Sequence, residues 1–279
     1  MIDLDALLDG IETLPVSPYP LPELSKALTD PNADLNRVVE IISFDPALTA
    51  KLLQLCNSAA FSRGTPANDV AQAVNRLGFQ SVYRALAALK GPQVFRTSGK
   101  NTTIDPAELW RHSVFTAMLA QMMAEDLGEE GGLYFTAGLL HDFGKSILSE
   151  TAGYGEVVRR AREEHQPLQK VELATLGVEH GMVSARLLER WNFSPELVSS
   201  VRFHHQPGQA EQGKGAAIIQ VASFYAHKKH PDRTQRGMLF DATEGLRILE
   251  WKPEDLEQFS ARLDSNEALS RALLRMGGA

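Results

Sequence analysis

Six side chains that can bind metal ions lie in the middle of this 279-residue chain, each in a stretch with the apolar spacing of a helix. They are His112, His141, Asp142, His180, His204 and His205. Phe115 and Leu119 follow His112 at roughly helical spacing, so a helix that buries them also turns the imidazole inward. Ionisable groups are costly to bury alone, and the pattern therefore predicts that these six residues find polar partners inside a helical protein.

The next two segments place their polar residues in similar surroundings. Small Ala137 and Gly138 come one turn before the His-Asp pair, and we expect them to leave room for a cluster of ligands. Val183 and Leu187 share a helical face with His180. Both segments are thus predicted to direct their histidines into an apolar interior.

The last two candidates, His204 and His205, line up with Leu197 and Val201, and Pro207 is predicted to end their helix. Four converging helices could then supply a nearly complete ligand shell. Neutral imidazole nitrogens and a carboxylate oxygen suit a divalent transition metal such as Fe, Mn, Zn or Ni. The residue order leaves open whether one ion or two would bind.

The ligand hypothesis competes with a simpler structural interpretation. A single buried histidine is usually a hydrogen-bonded structural residue, which applies to His112 or His180 taken alone. The His-Asp pair is more specific, because apolar AGLL precedes it, Phe-Gly-Lys follows it and other histidines flank it. Metal ions, mutual hydrogen bonds, or both would satisfy the cluster. His165, His227 and His230 lie in polar stretches and are predicted to be ordinary surface residues.

Helix signals dominate the whole chain, which is therefore predicted to be all-α. The sequences Leu21-Pro22-Glu23 and Asp45-Pro46 are typical helix starts, and no alternating run next to Asn-Gly or Asp-Gly suggests a hairpin. A polar stretch over residues 96–108 divides the chain into a helical N-terminal subdomain, 1–100, and a second helical subdomain, 101–279. A last amphipathic segment over 253–276 offers apolar residues for packing, namely Leu256, Phe259, Leu263 and Leu269.

The order of a histidine, a His-Asp pair, a histidine and a His-His pair on successive helices resembles the HD superfamily of metal-dependent phosphohydrolases. More narrowly, residues 12–230 resemble the HDOD domain, an HD-related output domain of bacterial signalling proteins. The segments 14–61 and 72–87 read like the region that HDOD proteins carry ahead of their HD-like part. The resemblance implies an HD-like multi-helix bundle with an N-terminal helical subdomain, and it implies that the six residues form a metal site.

Two departures from the catalytic pattern shape the functional expectation. HD hydrolases carry a further aspartate on a later helix, and the matching position here is Ser223. Related cyclic-dinucleotide phosphodiesterases carry Gly-Tyr-Pro after their paired histidines, whereas this chain reads HHQPGQ. The resemblance therefore implies a noncatalytic regulatory protein of bacterial signal transduction that retains most of its metal ligands.

The alternative is a metal-dependent phosphohydrolase that acts on a nucleotide or a cyclic dinucleotide. In that case Asp142 and Lys145 would belong to the catalytic machinery, with Lys145 contacting phosphate or assisting proton transfer. The simpler interpretation of Lys145 is a solvated residue at a helix end. With either function, regulatory or catalytic, the expected partner is a signalling protein or a nucleotide ligand.

Composition and charge limit where the protein is expected to be located and which classes of partner it is expected to bind. The formal charge of −7 disfavours broad attraction to nucleic acid. The sequence shows neither a basic, apolar leader nor an apolar run long enough to cross a membrane, so we expect a cytoplasmic protein without a membrane partner. The single cysteine, Cys56, is predicted to be a small buried residue and not a nucleophile.

One segment suggests a different class of function. Residues 68–90 contain two short helical patterns joined near Gly78, which superficially resembles a helix-turn-helix DNA reader. Its positive charges are few: Arg76, Arg84 and Lys90. We favour a helical hairpin that packs into the N-terminal subdomain through the apolar residues Val74, Leu77, Val82, Leu86 and Leu89.

Overall fold

A computed structural model describes residues 2–9, 35–61, 64–78, 81–82, 104–231 and 237–266. Every regular element within these ranges is a helix, as the all-α prediction required. The α-helices are α1 (Leu4–Asp9), α2 (Leu35–Ser43), α3 (Pro46–Asn57), α4 (Val70–Leu77), α5 (Pro106–Asp126), α6 (Gly131–Leu140), α7 (Phe143–Ser149), α8 (Tyr154–Glu163), α9 (Leu168–Leu176), α10 (His180–Arg190), α11 (Pro195–Arg202), α12 (Gly213–Lys229), α13 (Thr243–Ile248) and α14 (Glu257–Asp264). Short 3-10 helices cover Pro207–Gln209 and Pro253–Leu256.

Asp-Pro pairs start two of the helices. The Asp45 side chain accepts a hydrogen bond of 2.8 Å from the Leu48 amide, and Pro46 occupies the first turn of α3. Asp105 caps α5 in the same way. These caps satisfy amide groups that have no partner within the helix, which confirms the predicted start at Asp45. The predicted start at residues 21–23 lies outside the described residues.

The centre of the molecule is α5, which is packed against α6 and α12. Most of its length is buried, including Leu119 and Met123, because apolar residues occur around much of its circumference. A Cβ atom added to Gly138 of α6 would lie only 2.8 Å from the Ala117 Cα atom of α5. The prediction that Gly138 clears space for ligands was therefore wrong, because its small size allows two helix backbones to approach each other.

Parts of the N-terminal region pack against the rest of the chain. The Ile2 amide donates to the Leu176 carbonyl at 2.7 Å, at the end of α9. The Phe44 ring meets the Phe135 ring of α6 edge to face, with their centroids 5.8 Å apart. The boundary predicted over residues 96–108 falls mostly outside the described residues, and the division into two subdomains remains a prediction.

The predicted packing residues of the segment 68–90 that the structure describes are Val74, Leu77 and Val82, and Leu77 is partly buried. Val74 and Val82 are buried, and α4 ends at Leu77, before Gly78, whose φ of +75° favours glycine. Arg84, Lys90 and the second half of this segment lie outside the described residues. The described half is consistent with packing of a helical hairpin.

The remaining expectations about the core concern Cys56 and the C-terminal segment. Cys56 is fully buried, and burial raises the pKa of its thiol, as expected for an unreactive residue. Leu256, Phe259 and Leu263 are buried as predicted, whereas Leu269 lies outside the described residues. None of the described helices is both long and apolar enough to span a bilayer.

Candidate metal centre

The predicted ligands converge on the carboxylate of Asp142. Its Oδ2 atom lies 3.3 Å from His141 Nε2 and 3.6 Å from His112 Nε2. Its Oδ1 atom lies 3.2 Å from His180 Nε2 and 3.9 Å from His204 Nε2. All five side chains are buried, so the structure brings together residues that are separated by more than 90 positions in sequence.

The sixth candidate, His205, completes a second group of ligands. Its Nε2 atom lies 2.7 Å from His180 Nε2, and its ring centroid lies 3.9 Å from that of His204. The possible ligand atoms within each of two trios, His112 with His141 and Asp142, and His180 with His204 and His205, all lie within 4.8 Å of one another. Asp142 directs Oδ2 towards the two histidines of its own trio and Oδ1 towards His180 and His204 of the second trio.

The backbone places these ligands differently from the sequence prediction. Only His112 lies in the interior of a helix, while His141 and Asp142 form the turn between α6 and α7. The helix α11 ends at Arg202, so the prediction that it continues to Pro207 was wrong. Consecutive residues of a helix diverge by about 100°. The turn after Arg202 instead allows two adjacent imidazoles to face one pocket.

A close contact between α7 and α10 fixes the turn that carries Asp142. The Gly144 amide donates to Ser184 Oγ at 2.7 Å, and this hydroxyl donates to the His141 carbonyl at 3.0 Å. A Cβ atom on Gly144 would lie only 2.1 Å from the His180 carbonyl oxygen. Glycine is therefore required for the His-Asp turn to pack against the first turn of α10.

Backbone carbonyls orient two of the imidazoles. His141 Nδ1 donates to the Gly138 carbonyl, and His204 Nδ1 donates to the Val201 carbonyl, both at 2.7 Å. Because a carbonyl only accepts, the proton resides on Nδ1 and the Nε2 lone pair of each ring faces the pocket. Sequence reasoning had not identified these carbonyl partners.

The donor set fits a divalent metal. The Nε2 atoms of His141 and His204, together with Asp142 Oδ1, are buried and have no hydrogen-bond partner. Buried acceptors without partners are costly, and bound metal ions would satisfy all three. Two ligand atoms at about 2.1 Å from one tetrahedral ion are about 3.4 Å apart, which is close to the separations around Asp142. Nitrogen and carboxylate donors suit Zn, Fe, Mn or Ni.

His180 differs from the other ligands because a buried carboxylate holds its outer nitrogen. Glu172 Oε2 lies 2.6 Å from His180 Nδ1, and Tyr154 donates its hydroxyl to Glu172 Oε1 at 2.5 Å. Burial opposes protonation of His180, but Glu172 outweighs it and raises the pKa of this imidazole to about 9. Sequence reasoning missed Glu172 and Tyr154, because neither belongs to a recognisable motif and their burial depends on packing between α8, α9 and α10.

Burial determines the charge of the other imidazoles. Desolvation lowers the pKa of His112, His204 and His205 well below their ordinary value, so these rings are neutral and able to act as ligands. Burial also opposes ionisation of Asp142, but the neighbouring His141 and Lys145 hold the pKa of this carboxyl well below its usual range. The pocket therefore contains an ionised Asp142 and three neutral imidazoles, those of His112, His204 and His205.

Lys145 belongs to the pocket and is not a solvated residue at a helix end. Its Nζ atom lies 2.6 Å from Asp142 Oδ2, and its side chain is only 5% exposed. The simpler interpretation of this lysine was therefore wrong, because the first turn of α7 directs the ammonium group inward. An ammonium group beside the carboxylate compensates part of the cost of burying it.

Ser223 lies at the edge of the pocket where the HD pattern leads one to expect an aspartate. Its Oγ atom is 3.1 Å from His112 Nε2, and the residue belongs to α12. A neutral hydroxyl thus occupies the side of the first trio that faces α12. The correspondence of Ser223 to that aspartate stays a prediction.

The three remaining histidines lie outside the two trios. His165 and His230 are exposed, as predicted. His227 is half-buried, with its ring stacked on Phe240 at 3.7 Å and centred 6.4 Å from the ring of His112. The surface prediction was therefore wrong for His227, because the segment that carries Phe240 covers it.

A helical fold that gathers a histidine, a His-Asp pair and later histidines around one carboxylate defines a protein of the HD superfamily. The HDOD domain model matches residues 14–207, and the chain therefore belongs to the HDOD family. Its fold is similar to that of the MmoQ response regulator from Methylococcus capsulatus, with a TM-score of 0.70 and 23% identity over 92% of this chain and 100% of that one. A virulence factor from Campylobacter jejuni has a TM-score of 0.64 and 24% identity over 88% and 94%.

Curated relatives share only part of their length with this chain. An uncharacterized protein from Treponema pallidum is 27% identical over 223 residues, which make up 78% of this chain and 42% of that protein. Ribonuclease Y from Geobacillus thermodenitrificans is 32% identical over 153 residues, or 54% of this chain and 23% of the enzyme. The chain thus spans less than half the length of these relatives.

Proposed function

We propose that this HDOD protein is a noncatalytic regulatory module of bacterial signal transduction that binds divalent metal in its His/Asp pocket. The observation that carries the proposal is the contact of 3.1 Å between Ser223 and His112. This contact supports the proposal because it puts a neutral hydroxyl beside the first trio, and the HD resemblance implies a carboxylate at this position of a ligand cluster that is otherwise largely retained.

The metal-binding part of the proposal rests on the two trios of ligands. His112, His141 and Asp142 would hold one ion. The second trio, His180, His204 and His205, would hold a second ion through its Nε2 atoms. The short contact between His180 and His205 requires a proton between their nitrogens, and this proton must leave when an ion binds. Metal binding should therefore compete with protons at the second trio.

The noncatalytic part of the proposal rests on the chemistry of Ser223. A hydroxyl is a weaker ligand than a carboxylate for a hard or borderline cation, and it neutralises no positive charge. The Gly-Tyr-Pro sequence of related cyclic-dinucleotide phosphodiesterases is also replaced by Gln-Pro-Gly after the paired histidines. We infer that the pocket binds ions without presenting them to a phosphodiester in a reactive arrangement.

The regulatory part of the proposal rests on family membership and on the fold. HDOD domains are output domains of bacterial signalling proteins, and the fold is shared with a protein whose name describes it as a response regulator. A signalling protein or a nucleotide would then be the partner that responds to the state of the pocket.

A metal-dependent phosphohydrolase is the second candidate, and Lys145 favours it. This buried ammonium group lies beside Asp142, where it could contact a phosphate oxygen or transfer a proton. Bound divalent ions would supply Lewis acidity and lower the pKa of a coordinated water. Similarity to ribonuclease Y adds RNA to the nucleotide and cyclic dinucleotide as substrates that need testing.

Elemental analysis tests the metal site. The purified protein should contain transition metal, and the content should fall sharply in a His141→Ala, Asp142→Ala double variant because the first trio loses two of its three donors and the second trio loses the carboxylate oxygen that faces it. A matched control, His165→Ala, removes an exposed histidine outside the pocket and should keep the metal. Equal metal content in the wild-type protein and the double variant would disprove the site.

A hydrolysis panel separates the two candidate functions. We expect no multiple turnover of nucleotides, cyclic dinucleotides or single-stranded RNA with Mn, Fe, Zn or Ni. Robust turnover that disappears in His141→Ala would instead establish the phosphohydrolase. The metal content of each preparation should be measured in the same experiment, so that a protein without metal is not mistaken for one without activity.

A further inference from the structure

Glu172 is a buried carboxylate behind the second trio of ligands. Glu172 is 0% exposed, and its side chain extends from α9 towards the start of α10. Its Oε2 atom accepts hydrogen bonds from the His180 amide at 3.0 Å and from His180 Nδ1 at 2.6 Å. Its Oε1 atom accepts from the Tyr154 hydroxyl at 2.5 Å. Three donors therefore fix both oxygens of this carboxylate.

These contacts determine which nitrogen of His180 faces the pocket. Because Glu172 holds Nδ1, the Nε2 atom points towards Asp142 Oδ1, 3.2 Å away, and towards His205. The corresponding partners of His141 and His204 are neutral backbone carbonyls. Among these three ligand histidines, His180 thus has the anionic partner. A carboxylate on the outer nitrogen makes an imidazole a stronger electron donor and restricts its rotation.

We propose that Glu172, itself held by Tyr154, is a positioning residue that sets the metal affinity of the trio His180, His204 and His205. This inference rests on the proposed metal site and adds a residue that acts on the ion through His180. Removal of such an outer partner typically weakens metal binding by about 10–100-fold. The amide of Glu172→Gln keeps the shape of the side chain but removes its charge.

The test measures Zn²⁺ and Mn²⁺ affinity of the full chain by calorimetry. Glu172→Gln should weaken binding to the second trio by about 10–100-fold while the protein stays folded by circular dichroism. Glu179→Gln is a matched control, because Glu179 is another buried acid beside His180, yet its carboxylate caps α10 through the Gly181 and Met182 amides. Its affinity should stay within about twofold of the wild-type value. Wild-type affinity in Glu172→Gln, or an equal loss in both variants, would overturn the inference.

A second variant covers the case in which Glu172→Gln does not fold. Tyr154→Phe keeps the carboxylate and removes only the hydroxyl that restrains it, so the affinity should fall by a smaller factor. Unchanged affinity in Tyr154→Phe would then count against the inference.

The imidazole nitrogen spectrum of metal-free protein provides an independent measurement. It should show a proton on His180 Nδ1 in a strong hydrogen bond, and this signal should change in Glu172→Gln but not in Glu179→Gln. A wild-type protein that binds no metal would disprove the proposed function. A signal that is identical in all three proteins would disprove the role of Glu172 directly.

Discussion

Single residues determine the chemistry of the pocket, and Ser223 has the largest consequence. We predict that Ser223→Asp raises the affinity for divalent metal by at least about tenfold, or about 1.4 kcal/mol. The new carboxylate would lie next to His112 and complete the first trio with a second anionic ligand. Isothermal titration with Mn²⁺ and Zn²⁺ would measure the change.

The matched control for this prediction is Ser223→Asn, which has nearly the same size as aspartate but no charge. It should leave the affinity near the wild-type value. An equal gain in both variants would show that side-chain size, and not charge, limits binding. No gain with aspartate would show that Ser223 does not face the ion.

Buried histidines also make the stability of the metal-free protein depend on pH. The folded pKa of His112, His204 and His205 lies below the ordinary value of 6.5, so acid protonates the unfolded chain first and stability falls below about pH 6.5. The contribution of His180 to stability has the opposite pH dependence. Because its folded pKa is about 9, this contribution is lost as the pH rises from 6.5 to 9. The free energy of unfolding should therefore be greatest near pH 6.5.

Urea denaturation at pH 5, 6.5 and 9 would measure this profile. Each histidine that stays neutral in the folded state contributes up to about 1.4 kcal/mol per pH unit on the acid side. His204→Asn should make the acid side shallower and leave the alkaline side unchanged. A stability that stays constant from pH 5 to 9 would mean that these rings are not buried as described.

At the scale of helices, the contact between α7 and α10 positions the His-Asp turn. We predict that Gly144→Ala destabilises the protein by about 3 kcal/mol or more, because the added methyl group would collide with the His180 backbone. Thermal and urea denaturation would measure the loss. The collision involves backbone atoms of a helix start, and relief by a simple side-chain rotation is therefore excluded.

Gly131→Ala is a control for this prediction, since its added methyl group would meet side-chain atoms of Gln121 and of the exposed Glu125 and no backbone atom of another helix. It should change stability by less than about 0.5 kcal/mol. If both variants were equally stable, α7 and α10 would have to be farther apart than the structure shows.

Helix starts could be predicted from the sequence better than helix ends. Asp45-Pro46 was identified because a side chain three residues before an amide satisfies that amide locally. The end of α11 at Arg202 was missed, since apolar spacing continues into the following turn. Where such a pattern continues, tertiary contacts in the pocket decide whether the chain remains helical.

At the scale of the whole molecule, α1 packs against the far end of α10, the helix that begins with His180. Arg190 contacts Asp9 at 2.8 Å and Asp5 at 2.9 Å. We predict that Arg190→Ala speeds amide hydrogen exchange in residues 3–9 and leaves metal affinity unchanged. Exchange measured by mass spectrometry would detect this local opening.

Arg159→Ala is the control for the docking of α1. Arg159 is also exposed to solvent, but its ion pairs with Glu156 and Glu163 lie within α8. Exchange in residues 3–9 should be the same as in the wild-type protein. Because all these pairs are at the surface, high salt should weaken the effect of Arg190. Unchanged exchange in Arg190→Ala would show that apolar contacts alone hold α1.

The sequence by itself determined the helical class, the family and the choice of six candidate ligands, because spacing along one helix and the residue types of a motif are local properties. Only the tertiary structure decided that Asp142 lies between two trios, that Lys145 points inward and that Glu172 with Tyr154 supports His180. These relations depend on distances between helices that are far apart in the chain. A charge can be buried without a large cost only when groups on those other helices pair with it, and no local sequence pattern specifies which groups these are.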